Sequence, residues 1–316
     1  MNEEFLNRLL KSISVSGYEE PVQEAVKMEM KEYTDEIRED EMHNLMISNI
    51  TEEGTLQVID RGGIVTHTYP GQQVIVHSQK GDVYGVVEAY RDLLKKSDLS
   101  TKDFVIDIGA KDREDALKYV DLGDPIVLDT HIRKLANGRI SARALDDRIG
   151  VYIIMEALKR ARERGCKAGV YAASTTGEET TKTGAYWCST RIRPTLAIVV
   201  DVTYTSDCIG MNPAEMGTVE LGKGPVLCNS PIVVKEWNQK LEDCAKEAGI
   251  PVQREAASRL SYTDADKIHF SNEGVPVVLV SIPLRYMHMP CEVADENDVE
   301  NCIELIARFL TAYQAE

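Results

Sequence analysis

Apolar residues recur at helical spacing from the start of the chain, with Phe5, Leu9, Leu10 and Ile13 falling on one face. A turn and helix start follow at Ser16 to Glu20, and a second amphipathic helix is predicted to about Tyr33. From Thr51 to about Gly138 the pattern shortens. The runs LQVI, QQVIVH, DVYGVV, FVIDIG and PIVLD alternate with Gly, Pro and Asp turns, which predicts short strands in a small β-rich domain. From Ile140 onward helices and strands alternate. RIGVYIIMEALKRARER predicts a strong helix, with Ile149, Tyr152, Ile153, Ala157 and Leu158 mostly on one side, and NQKLEDCAKEAG and ENDVENCIELIARFLTAY predict two more. AGVYAAS, LAIVVDV and VPVVLVSIP are apolar, β-branched runs of the kind an α/β sheet buries on both faces. The fold class expected is α/β: a central sheet flanked by helices, formed by residues 1–50 and 139–316, with an inserted β-rich domain at 51–138.

Composition narrows the function classes. With 316 residues, 43% of them hydrophobic and 28% charged, the chain is an ordinary globular one with room for a large core. A formal charge of −16 argues against nucleic acid, whose phosphates require a basic surface. No run of 18 apolar residues is present, so no membrane span is predicted. The acidic start MNEEFLNRLL lacks the basic-then-apolar order of a secretory signal, which predicts a cytoplasmic protein. The seven cysteines form no CxxC pair and read as scattered reduced thiols. Cys291 lies three residues from His288 but adjoins Pro290 and reads as packing.

Candidate chemistry sits at the ends of the predicted strands, where open α/β sheets place ligand sites. Asp146 and Asp147 follow RISA and precede a helix, so an N-cap with first-turn charge is the competing reading. Glu178 and Glu179 follow VYAASTT directly, and a solvated turn would also accommodate them. Asp201 lies near the end of LAIVVDV, where a buried carboxylate needs a partner. His288 follows VPVVLVSIP and gains weight only from its company. Together, three carboxylates and an imidazole make a donor set suited to zinc, cobalt or manganese. Glu178, beside a ligand, is placed to deprotonate an activated water.

The ordered set LDDR, GEE, VDVT and RYMH, with SVSGYEE, PGQQV, LGKGP and TDA along nearly the whole chain, resembles the tetrahedral-assembly (TET-type) co-catalytic metal aminopeptidases. That family includes glutamyl aminopeptidases and members mislabelled as endoglucanases. The resemblance implies a zinc-peptidase-like fold with a mixed sheet and one or two divalent ions per chain, zinc or cobalt. It also implies peptide substrates and a homo-oligomer, a dimer or larger. Asp146 would bridge two metals, Glu179 and His288 would complete one site, and Asp201 would serve the other. Glu178 would be the general base, with Asp147, Arg148, Thr263 and Asp264 in support.

Two departures are visible. The family carries a strand ending in His-x-Asp-Glu before the insertion, whose His ligates the second metal and whose Asp orients the base. Here Asp40-Glu-Met-His-Asn-Leu-Met-Ile-Ser runs directly into the insertion with no such motif. His43 is the nearest candidate substitute, His67 is a weaker one, and His77, His131 and His269 have no ligand-like context. Ser261 and Tyr262 also stand where the family has glycines. The function expected is therefore metal-dependent removal of N-terminal residues from short peptides. A catalytically impaired homologue acting as a binding or assembly partner, and a metal-dependent N-acyl deacetylase, are the alternatives.

Overall fold

A computed structural model describes residues 1–12, 19–34, 46–60 and 62–313. The expected helix start at Ser16 and the candidate ligand His43 lie outside the described residues. Two helices open the chain, α1 (Glu3–Lys11) and α2 (Glu20–Met30). Asn2 caps α1 through its side chain, which accepts from the Phe5 amide, and Glu3 and Glu4 sit favourably in its first turn.

Strands β1 (Met46–Ile50), β2 (Leu56–Ile59), β3 (Gln73–Ser78), β4 (Gly81–Val87), β5 (Val105–Asp107) and β6 (Ile126–Leu128), with the short α3 (Arg113–Ala116), follow. The six strands form one sheet in the order β1-β2-β5-β4-β3-β6, every pair antiparallel. This sheet starts at Met46, ahead of the expected boundary at residue 51. Alternation in β3 places Val74 and Val76 inward, and with Ile47, Leu56, Phe104 and Ile126 they build a core separate from the rest of the molecule.

The larger domain resumes with β7 (Arg133–Lys134), β8 (Arg139–Ala142), α4 (Leu145–Glu163), α5 (Thr183–Ile192), β9 (Ala197–Tyr204), α6 (Pro213–Met216), β10 (Val226–Asn229), α7 (Lys235–Ala248), β11 (Gln253–Ala256), α8 (Ala265–His269), β12 (Val277–Leu284), β13 (Glu292–Asp295) and α9 (Glu296–Ala312). Its main sheet runs β11-β10-β12-β9 and is mixed: β10 pairs antiparallel to β12, while β9 pairs parallel to β12 over eight residues. Strands β13-β8-β7 form a smaller antiparallel sheet. On β12, Val278, Val280 and Ile282 face the large core with Ile149, Ile153 and Ile303 of α4 and α9. Val277 and Leu279 face the opposite way, onto Ala265 of α8. Each such fully buried aliphatic side chain contributes about 1.5–3 kcal/mol, so β12 is anchored from both faces. The fold is the expected mixed α/β one.

One expected strand is missing. Among the described residues AGVYAAS, residues 168–174, enters no ladder, and β9 has a ladder partner only on its β12 side. A β-branched apolar run becomes a strand only when a neighbour offers backbone groups to pair with, and no described residue stands between this run and β9 to do so.

Candidate metal centre

Three elements of the larger domain bring Asp146, Glu179 and His288 together. Asp146 lies at the start of α4, but its own backbone is not helical (φ −77°, ψ 111°), and the left-handed Ala144 turns the chain just before it. Glu179 sits in the turn between residues 168–174 and α5, and His288 follows β12 with a left-handed φ of 64°. One ligand atom from each of the three lies within 4.8 Å of the others. His288 Nε2 is 3.1 Å from Asp146 Oδ2 and 3.6 Å from Glu179 Oε1.

A residue that sequence reasoning passed over holds this trio. Glu292 of β13, only 2% exposed, accepts from the Asp146 amide at 3.1 Å and from the His288 amide at 2.9 Å. Its signal in the sequence was a glutamate four residues after His288 inside the otherwise apolar start of a strand. The inserted domain also reaches the centre. A Cβ on Gly63 would come within 2.8 Å of His288 Nδ1, so the chain passes the imidazole at a distance that only glycine allows.

Glu178 is tied down by Lys182, whose Nζ contacts Glu178 Oε1 and donates to the Tyr262 carbonyl at 2.9 Å. Lys182 was not anticipated. Asp201 of β9 is buried, and its Oδ1 accepts from the Val202 amide at 2.8 Å. It falls outside the trio whose donor atoms converge within 4.8 Å. Asp147 faces Asp201 electrostatically, and its Oδ1 accepts from the Gly150 amide at 2.8 Å, so for this aspartate the N-terminal capping reading holds. Asp264 bonds to Thr175 Oγ1. Buried Arg148 donates to the carbonyls of Leu9 and Ser12, which anchors α1 to the site's floor.

Other histidines are occupied elsewhere. His67 Nε2 bonds the Lys96 carbonyl, His77 pairs with Asp82, and His131 lies 3.6 Å from Asp129. Cys291 is exposed rather than packed, and all seven cysteines are free thiols.

Crowded acids set the electrostatics. Burial, then the Asp146 charge, pushes Glu179 up to about 7 and Glu292 up to about 8. Burial pushes Asp264 up to about 7 and raises Glu178, which Lys182 pulls back down. Asp147 and Asp201 are raised well above the ordinary carboxylate range, first by burial and then by neighbouring negative charge. His288 is pushed up to about 9, first by its hydrogen bond to Asp146. Clustered carboxylates that resist ionising, with an imidazole among them, fit a small divalent cation.

Comparison with known proteins gives the family. Residues 39–305 match the family described as M42 glutamyl aminopeptidase. The lysyl aminopeptidase of Pyrococcus furiosus is 30% identical, covering 97% of this chain and 96% of its own length. That alignment runs over 339 positions, longer than the 316-residue chain, so the relative carries residues with no counterpart here. Among solved structures, a TET aminopeptidase from a marine-sediment thaumarchaeon superposes with a TM-score of 0.91 at 30% identity, covering 99% of this chain and 96% of that one. The TET1 peptidase of Pyrococcus horikoshii, which can assemble into a tetrahedron or a large octahedral shell, superposes at 0.85 with 28% identity, covering 98% and 99%. No helix among the described residues is long and apolar enough to cross a membrane. The chain belongs to the M42 glutamyl aminopeptidase family.

Proposed function

We propose that this chain is a metal-dependent aminopeptidase that removes N-terminal residues from short peptides, with Glu178 as general base. The observation that carries this reading is the convergence of Asp146, Glu179 and His288 within 4.8 Å, next to Glu178. These three would hold one divalent ion, zinc or cobalt by donor type, and Asp201 with Asp146 would offer a thinner second position. A cation held there supplies Lewis acidity, polarising a scissile carbonyl and acidifying water.

The chain's own residues do the rest. Glu178 has a raised pKa, which suits a group that accepts a proton from attacking water and passes it to the leaving amine. Lys182 engages Oε1 and so fixes the carboxylate's orientation, leaving Oε2 for proton uptake. The surplus of carboxylates favours a substrate with a free, protonated N-terminal amine. Likeness to the Pyrococcus horikoshii peptidase supports self-association of this chain.

The competing reading, a catalytically impaired homologue, draws on the second position, where Asp201 has no histidine partner among the described residues. Metal content after equilibration with zinc or cobalt, measured beside turnover of aminoacyl-anilides, separates the two. Bound ion with turnover supports the enzyme. No turnover on any aminoacyl substrate would sink it in favour of the impaired homologue, and activity on N-acylated substrates alone would point to a deacetylase.

A further inference from the structure

Helix α2 is seated in the large core by Val22, Ala25, Val26 and Met30. Its N-cap position holds Glu19, where Asp, Asn, Ser or Thr would serve better, and the Glu19 side chain does not cap its own helix. It reaches instead to a segment 158 positions away, where Oε1 accepts from the Gly177 amide at 3.0 Å. One turn along the same face of α2, Gln23 Nε2 donates to the Ser174 carbonyl at 3.0 Å and to Ser174 Oγ at 3.1 Å.

Gly177 is the pivot of the turn that carries the base and one ligand. It is buried and left-handed, with a φ of 68°. Its carbonyl accepts from the amides of Thr181 at 3.0 Å and Lys182 at 2.8 Å. Glu178 and Glu179 lie inside the loop that those bonds close, so the way Gly177 is held sets the direction in which both side chains leave. A buried N–H requires an acceptor, and Glu19 supplies this one from outside the turn. The Glu19 charge also faces the buried guanidinium of Arg148, two residues beyond Asp146. One carboxylate therefore acts on the segment that carries Asp146 and on the segment that carries Glu178 and Glu179. Glu292 does the same for Asp146 and His288.

We propose that Glu19, supported by Gln23, is a positioning residue for the turn at 177–182, aiming Glu178 at the attacking water and Glu179 at Asp146 and His288. The part concerning Glu178 rests on the peptidase reading, whereas the part concerning Glu179 rests only on the ligand trio. Neither residue touches substrate, so the effect is transmitted through the Gly177 amide and the Ser174 carbonyl.

The test compares Glu19→Ala, Glu19→Gln and Glu20→Ala in the full-length protein. Glu20 begins the same helix but is exposed, so its loss perturbs α2 without reaching Gly177. Glu19→Ala should lower kcat on aminoacyl-anilides by about 10–100-fold with KM kept within about threefold. Zinc affinity, read by titration against a competing chelator, should fall by about 10–100-fold. Glu19→Gln, which keeps an acceptor for Gly177, should recover most of both losses, and Glu20→Ala should show neither. Should Glu19→Ala fail to fold, Glu19→Asp draws the acceptor back by one methylene and should show the same split.

A double variant isolates the route. If Glu19 acts through Glu178, Glu19→Ala adds little to the kcat loss of Glu178→Gln. Losses that multiply overturn the proposal, and so does a folded Glu19→Ala with unchanged kcat and zinc affinity. An equal loss in Glu20→Ala overturns it too, because helix stability would then explain the effect. If Glu178→Gln keeps full turnover, the general-base reading fails by itself. The zinc titration then decides the positioning role alone, and an unchanged affinity in Glu19→Ala ends it.

Discussion

The two halves of the proposed metal centre share Asp146 yet differ in every other respect. On one side, Glu179 and His288 come from separate segments and each bring a ligand atom within 4.8 Å of one on Asp146, with Glu292 holding two of the three backbones. On the other, half-buried Asp147 lies within electrostatic reach of buried Asp201, and no imidazole joins them among the described residues. The difference teaches that a metal site depends on the segments around its ligands. The first half sits among well-paired elements such as β12 and β13, and the second sits by the edge of β9 that has no ladder partner among the described residues.

The strongest way to break this contrast is at Glu178. Glu178→Gln should lower turnover of aminoacyl-anilides by about 10²–10⁴-fold while the bound ion stays, as metal analysis of the same sample would show. His288→Ala should weaken the tight ion by more than roughly 100-fold, beyond what loss of an outer partner costs, and a zinc titration against a competing chelator reads this directly. Glu292→Ala removes the carboxyl that accepts from two ligand amides, and its expected cost in zinc affinity is about 10–100-fold.

A pH scan of the metal-free protein sharpens the comparison further. Glu179 and Glu292 keep protons when folded, to about 7 and about 8, that the unfolded chain releases near 4.5. His288 likewise keeps its proton to about 9 rather than 6.5. The folded state therefore binds more protons, and stability falls as pH rises from about 4.5 to about 9. Thermal melts should lose roughly 5 °C or more across that window, and zinc should flatten the slope by replacing the lost protons with its own charge. The smallest effect is expected at Asp201→Asn. It should leave the tight ion within about threefold of its wild-type affinity and remove only a weaker second equivalent, as metal titration would show.

The open edge explains why part of the sequence reading went astray. AGVYAAS has the composition of a buried strand, and so does LAIVVDV, yet only the second became one, because β12 lies beside it. Composition states what a segment tolerates, while pairing is a property of its neighbours. The inserted domain shows the converse. Its short runs each found a partner, so the alternation of residues such as Val74 and Val76 carried through to a closed core.

By itself the sequence determined the helices at α1, α4, α7 and α9, because amphipathic spacing there coincides with the face each buries. It also singled out Asp146, Glu178, Glu179, Asp201 and His288 as candidates, since carboxylates and imidazole at the ends of apolar runs need a reason to be there. Only the tertiary structure decided which of these meet. The approach of Asp146, Glu179 and His288 depends on three distant segments, and so do the clamp from Glu292, the tether from Lys182 and the close pass of Gly63. Those contacts are set by how separately formed elements pack. A linear pattern encodes one residue's surroundings along the chain, whereas the reach of one side chain to another across the fold is fixed only when the sheet is assembled.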